Sequence, residues 1–250
     1  MTKIALVTGG SRGLGRSAVI NLAKSGVDSI FTYHSAESEA KDVVVSAGRA
    51  GAQAIALKLD TGNTGSFDVF VAQAKDALKQ LGTNKIDYLI NNAGISNHTA
   101  FSDVTPDELD KLYNVNFKGV FFLTQKLLPL INDGGSIINI SSGVTRFVNP
   151  DSVAYAVFKG AVEVFTRYLA HDLGKRNINV NTVAPGAIQT DFSGGIVRDN
   201  PDVYKIVSEM TALGRPGLPE DIGKMITSLL SDGNHWINAQ RIEVSGGMRL

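Results

Sequence analysis

Residues 3–15 read Lys3-Ile4-Ala5-Leu6-Val7-Thr8-Gly9-Gly10-Ser11-Arg12-Gly13-Leu14-Gly15. An apolar run that ends in a glycine-rich turn predicts a β-strand, and residues 16–25 continue with helical character. Glycines at such a turn permit positive φ, and they let the backbone approach a phosphate whose charge the helix N-terminal amides can meet. Tight turns also need glycine, so the glycine cluster alone is weak evidence for a nucleotide site. Its place between a strand and a helix is what predicts a nucleotide site.

Short β-type runs recur along the chain, with helix-type stretches between most of them. This alternation predicts parallel strands joined by crossover helices, and four of the runs are apolar enough to be buried on both sheet faces. We therefore expect an α/β fold: one Rossmann-type, doubly wound parallel sheet of about seven strands within a single domain, 1–250. The predicted strands are Lys3–Thr8, Ser29–Tyr33, Ala54–Leu59, Ile86–Ile90, Ser136–Ile140, Asn177–Val183 and Arg241–Val244.

Local signals place several helices and one irregular segment. Thr105-Pro106-Asp107-Glu108 and Leu218-Pro219-Glu220-Asp221 are typical of helix starts, with proline at the first helical position and acidic residues in the first turn. Residues 151–174 predict a longer helix. Periodicity lapses from Gln189 to Asn200, which predicts a mobile loop, and we expect a substrate loop of unpredictable shape near 189–210.

Composition argues for small-molecule chemistry. Lys plus Arg and Asp plus Glu both total 24 in 250 residues, so no bulk charge favours nucleic acid or an anionic membrane. The chain has no cysteine, which removes thiolate catalysis and thiolate metal sites, and its four histidines form no metal-ligand pattern. With no export signal and no apolar run near the roughly 20 residues of a membrane helix, we expect a cytoplasmic protein without a metal.

Three further motifs follow in order. Asn91-Asn92-Ala93-Gly94 closes the fourth predicted strand, Tyr155 and Lys159 have the spacing YxxxK, and Pro185-Gly186 with Thr190 follows the sixth strand. Together with the turn TGxxxGxG, this set resembles the short-chain dehydrogenase/reductase family from Lys3 to Gly247. The resemblance implies carbonyl reduction with a nicotinamide cofactor. It also implies a homotetramer whose interfaces involve the helices around 106–131 and 151–174 and the carboxy-terminal segment.

The resemblance also implies a set of cofactor contacts along the chain. The end of the second strand, Tyr33-His34-Ser35, lacks the acidic residue that NAD-preferring folds place there, while Arg12, His34 and Ser35 can donate to a 2′-phosphate. Glu37 could still approach, but we expect NADP(H). The full expected set is Gly9, Ser11, Arg12, Gly13, Leu14, Gly15, Tyr33, His34, Ser35, Asp60, Thr61, Asn92, Ala93, Gly94, Val115, Tyr155, Lys159, Pro185, Gly186, Ile188 and Thr190.

Tyr155 and Lys159 lie one helical turn apart, so their side chains can act together. A neighbouring ammonium and an oxidised nicotinamide both favour a phenolate, so we expect the pKa of Tyr155 to fall toward neutrality. In the family a serine stands thirteen residues before the tyrosine, which favours Ser142 over Ser141. The family's helix asparagine, which organises a water beside the lysine, corresponds to Asn116 rather than Asn114.

Substrate walls should come from the loops after the fifth and sixth strands. Beside Ser142 and Tyr155, the expected contacts are Val144, Phe147, Asn149 and Ala187. Since these are mainly apolar or small, they favour a modest hydrophobic ketone, although Arg146 and Arg198 could meet an anion.

Two other functions remain open. One is 3-oxoacyl-[acyl-carrier-protein] reduction, which the motifs also resemble. Asp133-Gly134-Gly135-Ser136 stands where those enzymes usually offer an arginine to the carrier, but Arg176 is available nearby. The other is a non-enzymatic, nucleotide-binding redox sensor, against which the intact set of Ser142, Tyr155 and Lys159 argues.

Overall fold

The computed structural model describes residues 2–250, and these form one seven-stranded parallel sheet in the order β3-β2-β1-β4-β5-β6-β7. The order reverses between β1 and β4, so the two halves of the chain wind in opposite directions from the centre, as in a doubly wound Rossmann-type fold. The predicted fold class is confirmed. The strands are β1 Ile4–Val7, β2 Asp28–Tyr33, β3 Ala54–Lys58, β4 Ile86–Asn91, β5 Ile131–Ile140, β6 Asn179–Pro185 and β7 Arg241–Val244.

Helices cover both faces of the sheet. Alternate residues of β1 enter opposite cores, since Ala5 and Val7 pack with one cluster and Ile4 and Leu6 with the other. The helices are α1 Gly13–Lys24, α2 Glu37–Arg49, α3 Phe67–Gln80, α4 Pro106–Tyr113, α5 Gly119–Leu127, α6 Val153–Leu173, α7 Ile196–Asp199, α8 Pro201–Glu209 and α9 Pro219–Leu229. Helices α1, α2 and α9 contribute to the first core, and α3, α5 and α6 to the second.

Both predicted helix starts are present. The Thr105 hydroxyl accepts a hydrogen bond from the Glu108 amide at 3.3 Å, and the Asp221 carboxylate accepts one from the Leu218 amide at 2.8 Å. Between α4 and α5 the chain forms a π-helical turn, Asn114–Lys118, in which the Gly119 amide bonds to the Asn114 carbonyl. Such turns are frequent at functional sites.

The segment 189–210 differs from the irregular loop that we expected. It contains a 3₁₀ turn, Phe192–Gly195, followed by α7 and α8. The turn needs φ values of 55° at Ser193, 70° at Gly194 and 77° at Gly195, so helical periodicity is broken where the sequence analysis found no pattern. Asn200 then caps α8 through its side chain.

The first residues of some strands also differ from those predicted from the sequence. β5 begins at Ile131, five residues before the predicted Ser136, because its first half carries Asp133 and two glycines rather than an apolar run. β6 begins at Asn179 and not at Asn177, which has a φ of 52° and ends a 3₁₀ turn. Across residues 2–250, none of the helices combines the length and apolarity needed to span a bilayer.

Candidate active site

One large cleft opens at the carboxyl ends of the parallel strands, where α/β sheets bind ligands beside the point of strand-order reversal. Its volume of about 1320 Å³ exceeds the roughly 300–1,000 Å³ typical of a site for one small molecule. The turns after β1, β2, β3 and β4 line one side, and the segments after β5 and β6 line the other. The cleft therefore has room for a dinucleotide and a second molecule side by side.

The glycine turn after β1 is held tightly against the end of β4. Gly9 and Gly13 have φ values of 66° and 53°, in the left-handed region that favours glycine. The Asn92 amide donates to the carbonyls of Thr8 at 2.8 Å and Gly9 at 3.1 Å. A Cβ on Gly15 would collide with the Gly9 carbonyl. Gly15 thus serves the packing of the turn and lies outside the cleft lining.

The N-terminus of α1 faces the cleft, and no acidic residue in its first turn balances the partial positive charge of the helix end. Arg12 occupies the N-cap position in an extended conformation, and within the described residues neither its side chain nor an acidic first-turn residue caps the helix. Because helix N-terminal amides carry partial positive charge, this end can accept a phosphate. The residues present therefore fit the pyrophosphate of a dinucleotide.

At the far end of this side, His34 and Ser35 are exposed and line the cleft. Tyr33 packs on the apolar core instead, and its contact with a cofactor stays a prediction. Arg12 Nη1 lies 3.7 Å from Asp191 Oδ2, and His34 Nε2 lies 4.0 Å from Asp60 Oδ2. Both pairs are largely exposed and hence weak, so Arg12 can exchange one partner for another at little cost.

Helix α6 presents Tyr155 and Lys159 to the centre of the cleft, as their four-residue spacing predicts. Both side chains are buried, at 9% and 4% exposure. Lys159 Nζ donates to the Ile140 carbonyl at 2.9 Å and lies 5.6 Å from the centre of the Tyr155 ring. The Lys159 side chain is therefore fixed by a hydrogen bond to the last residue of β5, and α6 holds Tyr155 beside it.

The protein's own groups do not lower the pKa of Tyr155 as we expected. Burial raises it well above its ordinary value, and a hydrogen bond with the side chain of Ser142 opposes this rise only in part. Burial also lowers the pKa of Lys159 to about 8. Removal from water outweighs the bond to Ser142 in the protein's own contribution, and the expected lowering with a bound oxidised nicotinamide stays a prediction.

The two adjacent serines have different environments. Both line the cleft, but Ser142 hydrogen-bonds Tyr155, whereas the buried Ser141 hydroxyl donates to Glu163 at 2.7 Å. This arrangement agrees with the thirteen-residue offset that favoured Ser142.

Asn116 is fully buried behind the cleft lining. Its side chain accepts from the Ile95 amide at 3.1 Å and donates to the Ile95 carbonyl at 2.9 Å. A Cβ on Gly94 would lie 2.9 Å from Asn116 Oδ1 and 3.4 Å from Lys159 Nζ, so the asparagine stands close to the lysine across a glycine. Its amide is thus occupied in shaping the loop after β4, while Asn114, the alternative, lines the cleft.

The substrate side is bounded by aromatic and aliphatic side chains. Phe147 packs against Gly143, where a Cβ would lie 2.8 Å from its ring, and the guanidinium groups of Arg146 and Arg249 lie 5.6 and 5.1 Å from the ring centre. Phe192 lies 6.1 Å from the Tyr155 ring, centre to centre. The two phenylalanines therefore border the space in front of Tyr155.

Both arginines that we considered for an anion already have carboxylate partners. Arg146 is paired with Glu243 and donates to the Met248 and Arg249 carbonyls, and Arg198 is paired with Asp191 and Asp199. Neither arginine is among the residues that line the cleft.

Most of the expected residues do line this cleft; the exceptions are Gly15, Tyr33 and Asn116. The cleft lining includes Gly9, Ser11, Arg12, Gly13, Leu14, His34, Ser35, Asp60, Thr61, Asn92, Ala93, Gly94, Val115, Ser142, Val144, Phe147, Asn149, Tyr155, Lys159, Pro185, Gly186, Ala187, Ile188 and Thr190.

The sequence analysis missed other lining residues, including Ile95, Ser96, Phe192 and Met248. Ile95 and Ser96 directly follow the Asn-Asn-Ala-Gly motif, which could have signalled them. Phe192 and Met248 come from segments without a motif.

Comparison with known proteins defines the class of the chain. A family model described as enoyl-(acyl carrier protein) reductase matches residues 9–249. Tetrahydroxynaphthalene reductase PfmaG of Pestalotiopsis fici is 38% identical over 98% of this chain and 91% of its own length. These matches identify an oxidoreductase, and the chain belongs to the short-chain dehydrogenase/reductase family.

Solved structures are similar over nearly the whole length. The reductase LugOII is described as catalysing keto-reduction at C1 during lugdunomycin biosynthesis. Its structure has a TM-score of 0.94 and 37% identity, covering 99% of this chain and 98% of its own. The angucycline C-6 ketoreductase LanV with bound NADP has a TM-score of 0.94 and 35% identity, covering 99% and 95%. LanV has also been solved with NADP and rabelomycin.

Proposed function

We propose that this protein reduces a ketone on a fused-ring aromatic substrate to a secondary alcohol, with NADPH as the hydride donor. The observation that carries the proposal is the arrangement of Tyr155, Lys159 and Ser142 in a cleft large enough for two ligands. A buried phenol bonded to a serine hydroxyl and backed by a lysine is suited to protonating an oxygen on which charge develops. These three are the catalytic residues of the proposal.

NADP(H) is the proposed cofactor because of the groups that meet each part of it. The uncapped start of α1 would hold the pyrophosphate, and Arg12, His34 and Ser35 would surround the 2′-phosphate. Asp60, the carboxylate beside His34, belongs to the turn after β3 and accepts the Gly62 amide at 2.9 Å. LanV, which is similar along its whole length, binds NADP.

In the reducing direction, the raised pKa of Tyr155 suits it to act as the proton donor. When bound, NADPH supplies a hydride to the carbonyl carbon. Tyr155 keeps its proton at neutral pH and gives it to the carbonyl oxygen as that oxygen becomes an alkoxide. The Ser142 hydroxyl donates to the same oxygen. Lys159 would hold the nicotinamide ribose and, with a pKa of about 8, can return a proton to the tyrosinate near neutral pH.

The substrate class rests on the pocket and on the relatives. Phe147 and Phe192 line the same cleft as Tyr155, and the Phe192 ring lies 6.1 Å from the Tyr155 ring, so the pocket has aromatic surface that suits an aromatic ring system. Ser96 and Asn149 line the same space and can hydrogen-bond ring hydroxyls. PfmaG is named for tetrahydroxynaphthalene, and LanV, named as an angucycline C-6 ketoreductase, has been solved with rabelomycin.

The alternative function, 3-oxoacyl-[acyl-carrier-protein] reduction, has less support. Arg176, which we considered as a carrier contact, is paired with Asp133 at 2.7 Å and donates to the Leu128 and Ile131 carbonyls. Its guanidinium is therefore committed to the turn before β5.

Assembly as a homotetramer is part of the proposal. Helices α5 and α6 leave several apolar side chains in contact with solvent, among them Phe122, Val157 and Tyr168. Such a patch on one face marks an interaction surface. Light scattering coupled to size-exclusion chromatography should give four times the chain mass of 26.6 kDa.

A substrate panel tests the proposed reaction. Oxidation of NADPH is followed by its absorbance with a hydroxylated naphthalenone, a small aliphatic ketone and an acyl-carrier β-keto thioester. We expect the largest kcat/KM for the aromatic ketone. Preference for the thioester would support the acyl-carrier alternative, and cofactor binding without turnover of any ketone would support the redox sensor.

A further inference from the structure

A carboxylate outside the cleft lining organises the turn that carries Ser142. Glu163 stands on α6 one turn beyond Lys159, and its side chain is only 14% exposed. Its Oε1 atom accepts from the Ser141 hydroxyl at 2.7 Å, the Thr145 hydroxyl at 2.7 Å and Arg241 Nε at 2.8 Å. Three donors therefore converge on one charged oxygen, and such charge-assisted bonds are short and strong.

These contacts enclose Ser142 from both sides along the chain. Ser141 precedes it, and Thr145 ends the 3₁₀ turn Gly143–Thr145 that follows it. The Ser142 carbonyl accepts from Arg241 Nη2 at 3.3 Å, and it lies 2.9 Å from the Thr145 hydroxyl, whose single proton it shares with Glu163. The main chain of the serine is thus fixed by Glu163 through its neighbours and by Arg241 directly.

The Ser142 side chain itself has little local support. Within its own turn, its hydroxyl accepts only a long bond of 3.4 Å, from the Val144 amide. A hydroxyl that must donate to a reacting oxygen has to be held within about 0.5 Å of its productive position, and here the surrounding turn has to supply that precision. A misplacement of about 1 Å can reduce a rate about a hundredfold.

The support continues to the carboxy-terminal segment. Arg241, on β7, also pairs with Glu243 at 3.1 Å, and Glu243 pairs with Arg146 at 2.6 Å. Arg146 in turn donates to the carbonyls of Met248 and Arg249. The serine turn is therefore joined to the last strand and the residues after it.

We propose that Glu163 and Arg241 form a positioning pair that sets the turnover rate by fixing Ser142, without either residue touching the substrate. The inference rests on the proposed function, since it requires Ser142 to act on the reacting carbonyl. It deepens that function by adding two positioning residues, 78 positions apart, to the three catalytic ones.

Single variants give the first test. Glu163→Ala should lower kcat at least about tenfold, with the Kd for NADPH and the Tm followed in parallel. Glu163→Gln keeps an oxygen that accepts from Ser141 and Thr145, so it should restore most of kcat. Arg241→Met should lower kcat in the same way, and Arg176→Met is its control, because it removes an arginine that binds a carboxylate and main-chain carbonyls but does not line the cleft. This control should leave kcat unchanged.

A double variant separates positioning from general weakening. If Glu163 acts through Ser142, then Glu163→Ala should cause no further loss of kcat in a Ser142→Ala background. An equal fold-loss in both backgrounds overturns the positioning pair while leaving the proposed reaction intact. Wild-type kcat in Ser142→Ala alone overturns the role of the serine in the proposed function and the pair with it. Should Glu163→Ala fail to fold, Thr145→Val removes one of the same bonds, and its effect should likewise vanish when Ser142 is absent.

Discussion

Burial of Lys159 makes the free energy of unfolding depend on pH, and the single substitution Lys159→Met should remove that dependence. Lys159 is 4% exposed, and burial lowers its pKa from 10.5 to about 8. A lysine with a lowered pKa in the folded state releases its proton earlier than it does in the unfolded chain. Between about pH 8 and 10.5 the unfolded state therefore binds more protons, and stability rises with pH.

The magnitude follows from the two pKa values. Each pKa unit corresponds to about 1.4 kcal/mol, so over pH 7 to 10 the wild-type protein should gain about 2 kcal/mol from Lys159. Lys159→Met has no such group. The difference in unfolding free energy, wild type minus variant, should therefore increase by about 2 kcal/mol across this range. The raised pKa of Tyr155 acts in both proteins and cancels in the difference.

The assay is urea unfolding without cofactor, followed by circular dichroism at one fixed protein concentration, because assembly makes stability depend on concentration. Lys126→Met is the matched control, since Lys126 is a surface lysine paired with Asp68. Its difference from wild type should stay within about 0.5 kcal/mol over the same range. Parallel pH curves for wild type and Lys159→Met would refute the burial argument.

Three further outcomes follow from the site. Arg12→Met should raise the KM for NADPH about tenfold and leave that for NADH unchanged, while Arg16→Met, an exposed arginine one turn along α1, should change neither; equal effects on both cofactors would contradict a 2′-phosphate contact. Ser142→Ala should lower kcat about 100-fold to 1,000-fold, and Ser141→Ala less than about tenfold. A larger loss in Ser141→Ala would show that Ser142 is not the serine that bonds the reacting oxygen. The kcat of ketone reduction should decline above about pH 8, as Lys159 loses its proton, and a profile that stays flat to pH 10 would exclude the lysine from proton return.

The fold could be predicted from the sequence because its signals are local. The run from Ile4 to Val7 is apolar on both faces, and the glycine turn after it has few structural alternatives. Tyr155 and Lys159 were found through the motif YxxxK in order with the other motifs, and helical spacing then places them on one face. Thr105 and Asp221 likewise mark their helix starts through contacts three residues apart.

The parts that the sequence did not predict depend on contacts between distant segments. The shape of 189–210 depends on positive φ at Ser193, a residue that gives no such signal. The pKa of Tyr155 is set by burial, which requires the whole cleft. The bond between Glu163 and Arg241 joins residues 78 positions apart, and neither belongs to a motif. The pair of bonds between the Asn116 side chain and the Ile95 backbone likewise joins segments that the motifs do not connect.

The central claim is that Tyr155 protonates the reduced carbonyl, and the most direct test is single-turnover reduction of a hydroxylated naphthalenone by Tyr155→Phe. The variant keeps the ring that packs near Phe192 but lacks the hydroxyl. We expect it to bind NADPH as tightly as wild type and to lose about 100-fold to 10,000-fold of the rate of NADPH oxidation. A rate within a few-fold of wild type, with the cofactor bound, would contradict the account.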